Sequence, residues 1–333
     1  MHLESKSDGS PVISVLFPIY NGATYLKDAV QSIIDQTFTD FEIIIINDGS
    51  TDESESIIEE FNDKRIKYFR QNNHGLSATL NRAIGIASGE YLARQDQDDI
   101  SYPRRFEKQV EYLRKHPDCG MVGTWAAIWE GRTETNRAHN HPAESLILKF
   151  EMLFDNPFVH SSVMIRRKVL ETVGMYSNDK SRQPPEDFEL WSRVMQKFEI
   201  ANIPEILLVY REIPNSMSRI GINPFLDKII KISAENLAWV SGRERTNAGC
   251  ADLAALVHGA YNKLSPNLNF NEFSRILYTA ADNINRFSNT DSTILREKAK
   301  ARLRSIRTLY LSYQYGRVIR KAITALEFWR KAN

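Results

Sequence analysis

Three aspartates lie close together at the end of a short apolar run, a spacing at which carboxylates can bind a metal ion. The run from Gly89 to Asp99 reads Gly-Glu-Tyr-Leu-Ala-Arg-Gln-Asp-Gln-Asp-Asp and contains Asp96, Asp98 and Asp99. Carboxylates this close raise one another's pKa unless a cation or water screens their charges. Oxygen ligands at the end of a strand suit Mg²⁺ or Mn²⁺, with substrate phosphates completing the coordination shell. The run therefore indicates either a divalent metal site or a solvated acidic turn before the next helix.

The elements before this cluster alternate between strand and helix patterns. Apolar, β-branched runs at 12–18, 41–47, 66–69 and 90–94 predict strands, and helical spacing of apolar residues separates them. Pro18 is expected to close the first strand because it cannot donate to the ladder. The continuous run at 41–47 needs cover on both faces, as in a parallel sheet. The sequence thus predicts an α/β fold with a mostly parallel sheet flanked by helices.

Polar residues follow three of these strands. Ligands of open α/β sheets bind outside the carboxyl ends of the strands, so Pro18, Asp48 and the aspartate cluster are predicted to share one crevice. Asp48 alone would be interpreted as a helix cap, but it could also accept hydrogen bonds from a base or a ribose. Neither Gly-x-Gly-x-x-Gly nor a phosphate loop occurs. A bound phosphate would therefore need a metal to neutralise its charge.

Composition narrows the class of protein. The chain has 333 residues, enough for one large domain and a smaller one. Cys119 and Cys250 provide neither a disulfide framework nor zinc spacing, which favours a reducing compartment. Residues 1–10 lack the apolar core of a signal peptide, and no run of about 18 apolar residues follows. The expectation is a cytoplasmic protein, soluble or peripheral at the inner membrane face.

The last forty residues differ in net charge from the rest of the chain. Residues 294–333 contain 11 Lys or Arg and 2 Asp or Glu, a net charge of +9 in a chain whose total is +1. Leu303, Ile306, Tyr310 and Tyr313 recur at helical spacing and predict an amphipathic helix. Two hypotheses follow: a peripheral membrane contact near a lipid-linked acceptor, or a docked helix with a solvated basic face.

The motifs resemble, in order, those of family 2 glycosyltransferases. The matching stretches are Pro18-Ile-Tyr-Asn21, Asn47-Asp-Gly-Ser-Thr-Asp52, Asn73-His-Gly-Leu76 with Asn81, Arg94-Gln-Asp-Gln-Asp-Asp99, and Gln183-Pro-Pro-Glu-Asp-Phe-Glu-Leu-Trp-Ser-Arg193. The resemblance covers roughly residues 11–211. It implies the GT-A fold, a nucleotide-sugar donor and a metal motif of the DXD type that binds Mn²⁺ or Mg²⁺.

The resemblance assigns the donor side of the site. It implies that Asp48 contacts the nucleoside base and that Pro18 and Tyr20 line the same pocket. Asp96 and Asp98 match the two acids of the metal motif, with Asp98 in direct contact with the metal.

Two neighbours of these acids keep two interpretations each. Asp99 would point opposite Asp98 in an extended segment. It is either a further metal ligand or a cap for the helix predicted at 103–116. Arg94 is either a partner of the carboxylates in the substrate site or half of a structural salt bridge.

The resemblance also implies a second chemical centre. Inverting transfer needs a base that takes a proton from the acceptor hydroxyl, and Asp187 matches the position of the family's base. Glu186 would raise the pKa of Asp187 through its charge. The alternative is that both acids merely begin a helix.

His160 and Trp191 are further substrate-binding candidates. His160 precedes a predicted strand and could touch the diphosphate or the acceptor, although a lone histidine is more often structural. Trp191 could stack on a sugar ring, although an aromatic residue at helical spacing is more often core.

The predicted organisation is a GT-A catalytic domain at 1–215 and a helical C-terminal region at 216–333. The turn-rich segment at 213–224 could close over the donor. The helical region could shape the acceptor site or form a homodimer contact.

The predicted function is inverting transfer of a sugar, with a UDP-sugar as donor, to a saccharide or lipid-linked acceptor in cell-surface polysaccharide or glycolipid assembly. No nucleic-acid partner is predicted. The absence of Gln-x-x-Arg-Trp favours single addition over polymer synthesis. The rivals are a metal-dependent nucleotidyltransferase or other phosphoryl-transfer enzyme, and an inactive sugar-nucleotide-binding module.

Overall fold

A computed structural model of the chain describes residues 9–213, 224–286 and 293–332. The chain divides into two compact units, Met1–Lys228 and Ile229–Asn333. The segment 213–224, predicted to close over the donor, lies almost entirely outside the described residues.

The larger unit begins with strands and helices in strict alternation. They are β1 Ile13–Ile19, α1 Ala23–Ile34, β2 Phe41–Asn47, α2 Ser54–Glu59, β3 Ile66–Arg70, α3 Leu76–Ile86 and β4 Tyr91–Arg94. The four strands pair in parallel in the order β3-β2-β1-β4. Every residue of β1 and β2 is buried, as expected of strands covered on both faces. The α/β fold and its parallel strands are confirmed for this part of the chain.

The second half of the unit extends the same sheet with different pairing. Its elements are β5 Ile100–Ser101, α4 Arg105–Lys115, β6 Cys119–Glu130, β7 Thr133–His139, α5 Ser145–Glu151, β8 Met164–Arg166, α6 Arg167–Val173, α7 Glu186–Met195 and β9 Glu199–Glu212. The strand order continues β4-β8-β6-β9-β5, and β7 pairs with β6. Here only β6 and β9 run parallel, while the other pairs are antiparallel. The described strands therefore form one mixed sheet.

Pro18 does not end β1, contrary to expectation. The strand continues to Ile19, and Pro18 pairs in register with Ile46 of β2. On the other side of β1, the last bond runs from the Gln95 amide to the Leu16 carbonyl at 3.2 Å. Successive residues of a strand face opposite neighbours, so Pro18 faces the side where β4 has already ended. Its missing N–H costs no ladder hydrogen bond.

The smaller unit is helical, as predicted for the C-terminal region. Its described helices are most of α8 Leu226–Val240, then α9 Ala248–Val257, α10 Phe270–Asn285 and α11 Thr293–Ala332. Ile306 of α11 is 3% exposed. The Tyr310 ring lies 5.8 Å from Phe270, and the Tyr313 ring stacks on Tyr261 at 4.1 Å. The predicted apolar face of α11 is therefore packed inside the unit, as in the docked-helix hypothesis.

None of the described helices combines the length and the apolar character needed to cross a bilayer.

Candidate active site

The carboxyl ends of β1 and β4 meet through one glutamine. The Gln97 carboxamide accepts a hydrogen bond from the Tyr20 amide at 2.8 Å and donates one to the Tyr20 carbonyl at 2.9 Å. The end of β2 joins them, because the Asp48 amide donates to the Ile19 carbonyl at 2.8 Å. These contacts bring the three strand ends to one edge of the sheet, as the sequence predicted. Pro18 is buried there, and the Tyr20 side chain is 48% exposed.

The Asp48 carboxylate holds a loop in place. Its Oδ1 accepts from Gln71 Nε2 at 2.6 Å and from the His74 amide at 2.9 Å, while its Oδ2 accepts from the Gly75 amide at 2.9 Å. Gly75 precedes α3 with a φ of 84°, in the left-handed region. Asp48 therefore fixes the start of α3, and it does not cap α2, whose N-cap is Glu53. Its contact with a nucleoside base stays a prediction.

Residues 96–99 follow β4, and we call them the acidic loop. Its three aspartates lie in different environments. Arg94 Nη2 lies 2.5 Å from Asp96 Oδ1, so the predicted pairing of Arg94 with the cluster is present. Asp98 is half-buried and forms no salt bridge to any residue that the structure describes. Burial, followed by the charge of Asp96, raises the pKa of Asp98 to about 6 against the opposing charge of Arg94. Asp98 is thus a candidate ligand for a cation, whose charge would offset that of Asp96.

Asp99 does neither of the things predicted for it. It is 1% exposed, its Oδ2 accepts a hydrogen bond from Ser161 Oγ, and its Oδ1 accepts from the Arg211 amide at 2.9 Å. The following helix begins at Arg105 without a side-chain cap. Burial raises the pKa of Asp99 well above its usual range, with Asp98 and Asp96 adding to the shift. Asp99 ties the acidic loop to β9, and its oxygens are not open to a metal.

The buried Arg105 forms hydrogen bonds to residues on both sides of the acidic loop. Arg105 has no exposed surface. Its guanidinium donates to Gln95 Oε1 at 3.1 Å, to Ser101 Oγ at 2.8 Å and to the Arg94 carbonyl at 2.8 Å. Burial lowers the pKa of Arg105 to about 9, although Asp99 acts to raise it. Arg105 therefore fixes the backbone on which Asp96 and Asp98 stand.

Arg105→Met should destabilise the protein by about 3 kcal/mol, because it leaves several buried acceptors without a donor. Urea denaturation would measure the loss. Arg104→Met is the matched control, since the Arg104 side chain is 59% exposed in its salt bridge with Glu107, and we expect a cost below about 1 kcal/mol. Equal losses in the two variants would contradict the supporting role of Arg105.

Glu186 and Asp187 form a second group of acids, at the start of α7. Asp187 Oδ2 accepts from Asn156 Nδ2 at 2.7 Å, and Asp187 Oδ1 accepts from the Phe188 amide at 2.8 Å. Burial, followed by the charges of Glu186 and Asp96, raises the pKa of Asp187 to about 7. The acids start helix α7, as one interpretation expected, and the role of Asp187 as a base stays a prediction.

Glu186 faces a neutral histidine. The Glu186 carboxylate lies 3.9 Å from His160 Nδ1, and His160 Nε2 lies 2.8 Å from the Tyr176 hydroxyl. Burial lowers the pKa of His160 well below its usual range, with Arg94 lowering it further. Burial also raises the pKa of Glu186. Asn81 of α3 exchanges two hydrogen bonds with the Tyr176 backbone, at 2.8 and 3.0 Å, and so fixes the residue whose hydroxyl contacts His160.

Trp191 belongs to the core. It is 1% exposed, and its ring lies 5.9 Å from His160 and 6.3 Å from Tyr176. Its ring face is covered by neighbouring side chains, so the structure gives no support to stacking on a sugar. The ring instead packs against His160 and Tyr176 in the core.

The structure adds residues that sequence reasoning did not single out. Gln97, Asn156, Tyr176, Ser161 and Arg105 all contact predicted site residues. Gln97 had a signal, since it stands between Asp96 and Asp98. Arg105 lies close in sequence, but no pattern marked it, and the other three come from distant parts of the chain and had no signal.

The donor set fits a metal that substrate phosphates help to hold. No group of three or more His, Cys, Asp or Glu side chains is placed to bind a metal within residues 9–213, 224–286 and 293–332. A complete protein cage is therefore not formed there. Asp98 without a salt bridge, beside Asp96, matches the one or two carboxylates with which proteins bind Mg²⁺ together with phosphates.

Comparison with known proteins agrees with this geometry. The profile of glycosyl transferase family 2 matches residues 14–174. The chain is 34% identical over 253 residues to an uncharacterized glycosyltransferase from Haemophilus influenzae, covering 70% of this chain and 75% of that protein. It is 33% identical over 215 residues to the uncharacterized glycosyltransferase MJ1057 from Methanocaldococcus jannaschii, covering 62% and 72%.

Solved structures show the same fold. TarS from S. aureus, residues 1–349, in complex with UDP-GlcNAc, superposes with a TM-score of 0.61 at 18% identity, covering 91% of this chain and 92% of that one. The GT-A type of fold expected from the motifs is thereby confirmed. The chain belongs to glycosyltransferase family 2.

Proposed function

We propose that this glycosyltransferase moves a sugar from a UDP-sugar to an acceptor hydroxyl with inversion, adding one sugar at a time to a cell-surface saccharide or lipid-linked acceptor. The observation that carries the proposal is Asp187, a carboxylate with a pKa of about 7 held by Asn156 near the acidic loop. A base of that pKa is half deprotonated near neutral pH and can accept a proton from a hydroxyl.

The donor assignment is supported by the crevice and by a structural neighbour. The ends of β1, β2 and β4 meet at the edge of the sheet where open α/β folds bind ligands. TarS has been solved with UDP-GlcNAc and with UDP. A UDP-sugar in the crevice of this chain would lie beside Tyr20 and the loop held by Asp48, with its diphosphate toward Asp96 and Asp98.

In the proposed reaction, Asp187 takes the proton of the acceptor hydroxyl. The acceptor oxygen forms a bond to the anomeric carbon while the bond from that carbon to the diphosphate oxygen breaks, and UDP leaves with the electron pair. Asn156 orients the Asp187 carboxylate, and Glu186 keeps its pKa high. One displacement from the face opposite the leaving group gives inversion.

Asp98 and Asp96 would hold a Mn²⁺ or Mg²⁺ ion together with the diphosphate. Such an ion supplies positive charge where negative charge grows on the departing UDP. Arg94 restrains Asp96 through their salt bridge, and Asp99 and Arg105 hold the loop itself.

The released product distinguishes this proposal from its main rival. We expect UDP to be released when the protein is incubated with a UDP-sugar, Mn²⁺ and a panel of saccharide acceptors. A nucleotidyltransferase would instead release pyrophosphate from UTP and a sugar phosphate, and that result would overturn the proposal. Calorimetric titration of nucleotide sugars with Mn²⁺ or EDTA would identify the donor. Binding of a donor without turnover of any acceptor would favour an inactive binding module.

The pH dependence of kcat/KM for the acceptor should report the acidic pair, because kcat/KM follows the ionisation of the free enzyme. Because the pKa of Asp187 is raised to about 7, its base form is lost as the pH falls through that value, and kcat/KM should fall with it. Glu186→Gln removes a charge that disfavours ionisation of Asp187, so the midpoint should move to lower pH. A midpoint unchanged by Glu186→Gln would contradict the assigned coupling. The readout is the pH profile of UDP release.

A further inference from the structure

The Gln97 side chain extends the hydrogen bonding between β1 and the residues after β4. In the backbone, this bonding reaches the Leu16 carbonyl, which accepts from the Gln95 amide at 3.2 Å. Beyond the end of β1, the Gln97 carboxamide accepts from the Tyr20 amide at 2.8 Å and donates to the Tyr20 carbonyl at 2.9 Å. One side chain thus exchanges with Tyr20 the two bonds that facing residues exchange in an antiparallel ladder.

Gly22 leaves the room that this carboxamide occupies. A Cβ atom at Gly22 would lie 2.4 Å from Gln97 Oε1 and 2.5 Å from Gln97 Cδ, well inside the contact distance of about 3.5 Å for such atoms. The φ angle of Gly22 is −105°, on the side of the Ramachandran plot that residues with side chains favour. A larger residue at position 22 would therefore disturb the Gln97 carboxamide rather than the backbone.

Residues 20–22, which connect β1 to α1, are held from the other side by the segment after β2. The Asn21 amide donates to Ser50 Oγ at 3.0 Å, and Asn21 Oδ1 accepts from the Thr51 amide at 2.9 Å. These contacts do not involve Gln97. The connection is therefore fixed to the end of β2 by its own bonds, and Gln97 joins it to the acidic loop.

The two groups that Gln97 joins would bind opposite ends of the proposed donor. Tyr20 is 48% exposed and lies where we place the nucleoside. Asp96 and Asp98, on either side of Gln97 in the sequence, would hold the ion together with the diphosphate. A ligand with two binding ends gains from the second contact only when the spacing of the two sites matches its own length. A side chain that fixes this spacing makes each contact strengthen the other.

We propose that Gln97 is a positioning residue that makes the binding of the nucleotide and the binding of the metal ion depend on each other. Its two hydrogen bonds hold the acidic loop at a fixed place relative to Tyr20. An ion bound by that loop then meets the diphosphate of a nucleotide bound beside Tyr20. This role of Gln97 rests on the proposed donor and its metal.

Two simpler roles of Gln97 would leave different measurements. A contact that only stabilises the fold lowers the free energy of unfolding when it is removed, without a selective effect on a ligand. A contact that only shapes the nucleoside pocket weakens nucleotide binding equally with and without metal. Loss of coupling weakens nucleotide binding in the presence of the metal and leaves binding in its absence unchanged.

The experiment measures the dissociation constant of UDP by calorimetry in EDTA and in Mn²⁺, and the ratio of the first value to the second is the coupling factor. We expect Gln97→Ala to lower the coupling factor about tenfold, the effect of one or two lost hydrogen bonds. The value in EDTA should change by less than about twofold.

Gly22→Ala should lower the coupling factor in the same way, because the added methyl group would displace the Gln97 carboxamide. In the double variant Gly22→Ala/Gln97→Ala the two effects should not add, since Gln97→Ala removes the atoms that the methyl group would meet. Additive effects would overturn the proposal.

Gln31→Ala is the matched control. Gln31 is an exposed glutamine of α1 that donates to Asp35 Oδ1 at 2.8 Å, and its substitution should leave the coupling factor unchanged. Far-ultraviolet circular dichroism would establish that each variant keeps its fold. A wild-type coupling factor in Gln97→Ala, or equal weakening of UDP binding in EDTA and in Mn²⁺, would overturn the proposal. Absence of Mn²⁺-dependent UDP binding in the wild type would overturn the proposed donor and metal, and the role of Gln97 with them, before any variant is measured.

Discussion

Asp187→Asn should lower the rate of glycosyl transfer by about 10³-fold, within the range that general-base catalysis contributes. The substitution preserves the shape of the side chain, and the amide oxygen of asparagine can still accept from Asn156 Nδ2, which lies 2.7 Å from Asp187 Oδ2 in the wild type. Asparagine cannot take the proton of the acceptor hydroxyl. Donor binding should therefore stay close to that of the wild type while kcat collapses.

Initial rates of UDP release and calorimetric titration of the donor would measure the two quantities separately. Glu171→Gln is the control, because this carboxylate is exposed in the neighbouring helix α6. It should change the rate by less than about twofold. Turnover by Asp187→Asn at nearly the wild-type rate would show that Asp187 is not the base.

Asp98→Ala is expected to abolish transfer for a different reason. Asp98 is half-buried and, unlike Asp96, has no salt bridge among the described residues, and its pKa is raised to about 6 by burial and by Asp96. Asp98→Ala removes a carboxylate that would bind the metal together with the diphosphate. Nucleotide affinity in Mn²⁺ should fall at least about tenfold, toward the value measured in EDTA.

The neighbouring acid provides the control for this prediction. Asp99→Asn keeps one oxygen to accept from Ser161 or from the Arg211 amide. Because Asp99 is buried away from the crevice, Asp99→Asn should lower stability without abolishing the Mn²⁺ dependence of nucleotide binding. If Asp99→Asn removed that dependence and Asp98→Ala kept it, the metal assignment would have to be reversed.

The parallel half of the sheet could be predicted because its signal is local. β1 and β2 are seven-residue, fully buried strands, and each leads into a helix of its own. Continuous β-branched runs of that length have few other interpretations. β5 and β8 are two and three residues long. They exist only because longer strands lie beside them, so no pattern in their own sequence could reveal them.

The candidate site, like the sheet, could be predicted only where its signal is local in the sequence. Asp96, Asp98 and Asp99 were found because they cluster at the end of a predicted strand, and Glu186 and Asp187 because the order of the motifs singled them out. Their environments could not be predicted, since partners come from far along the chain: Ser161 and Arg211 for Asp99, and Asn156 for Asp187. Adjacent Asp98 and Asp99 differ for this reason alone. One lies half-buried without a salt bridge, and the other is an interior hydrogen-bond acceptor.

The anomeric configuration of the transferred sugar tests the proposed single displacement most directly. Proton NMR of the product formed from an α-linked UDP-sugar would record it, with the wild type and Asp187→Asn measured side by side. We expect a β-linked product from the wild type and almost none from the variant. An α-linked product, or equal product from both proteins, would contradict inversion with Asp187 as the base.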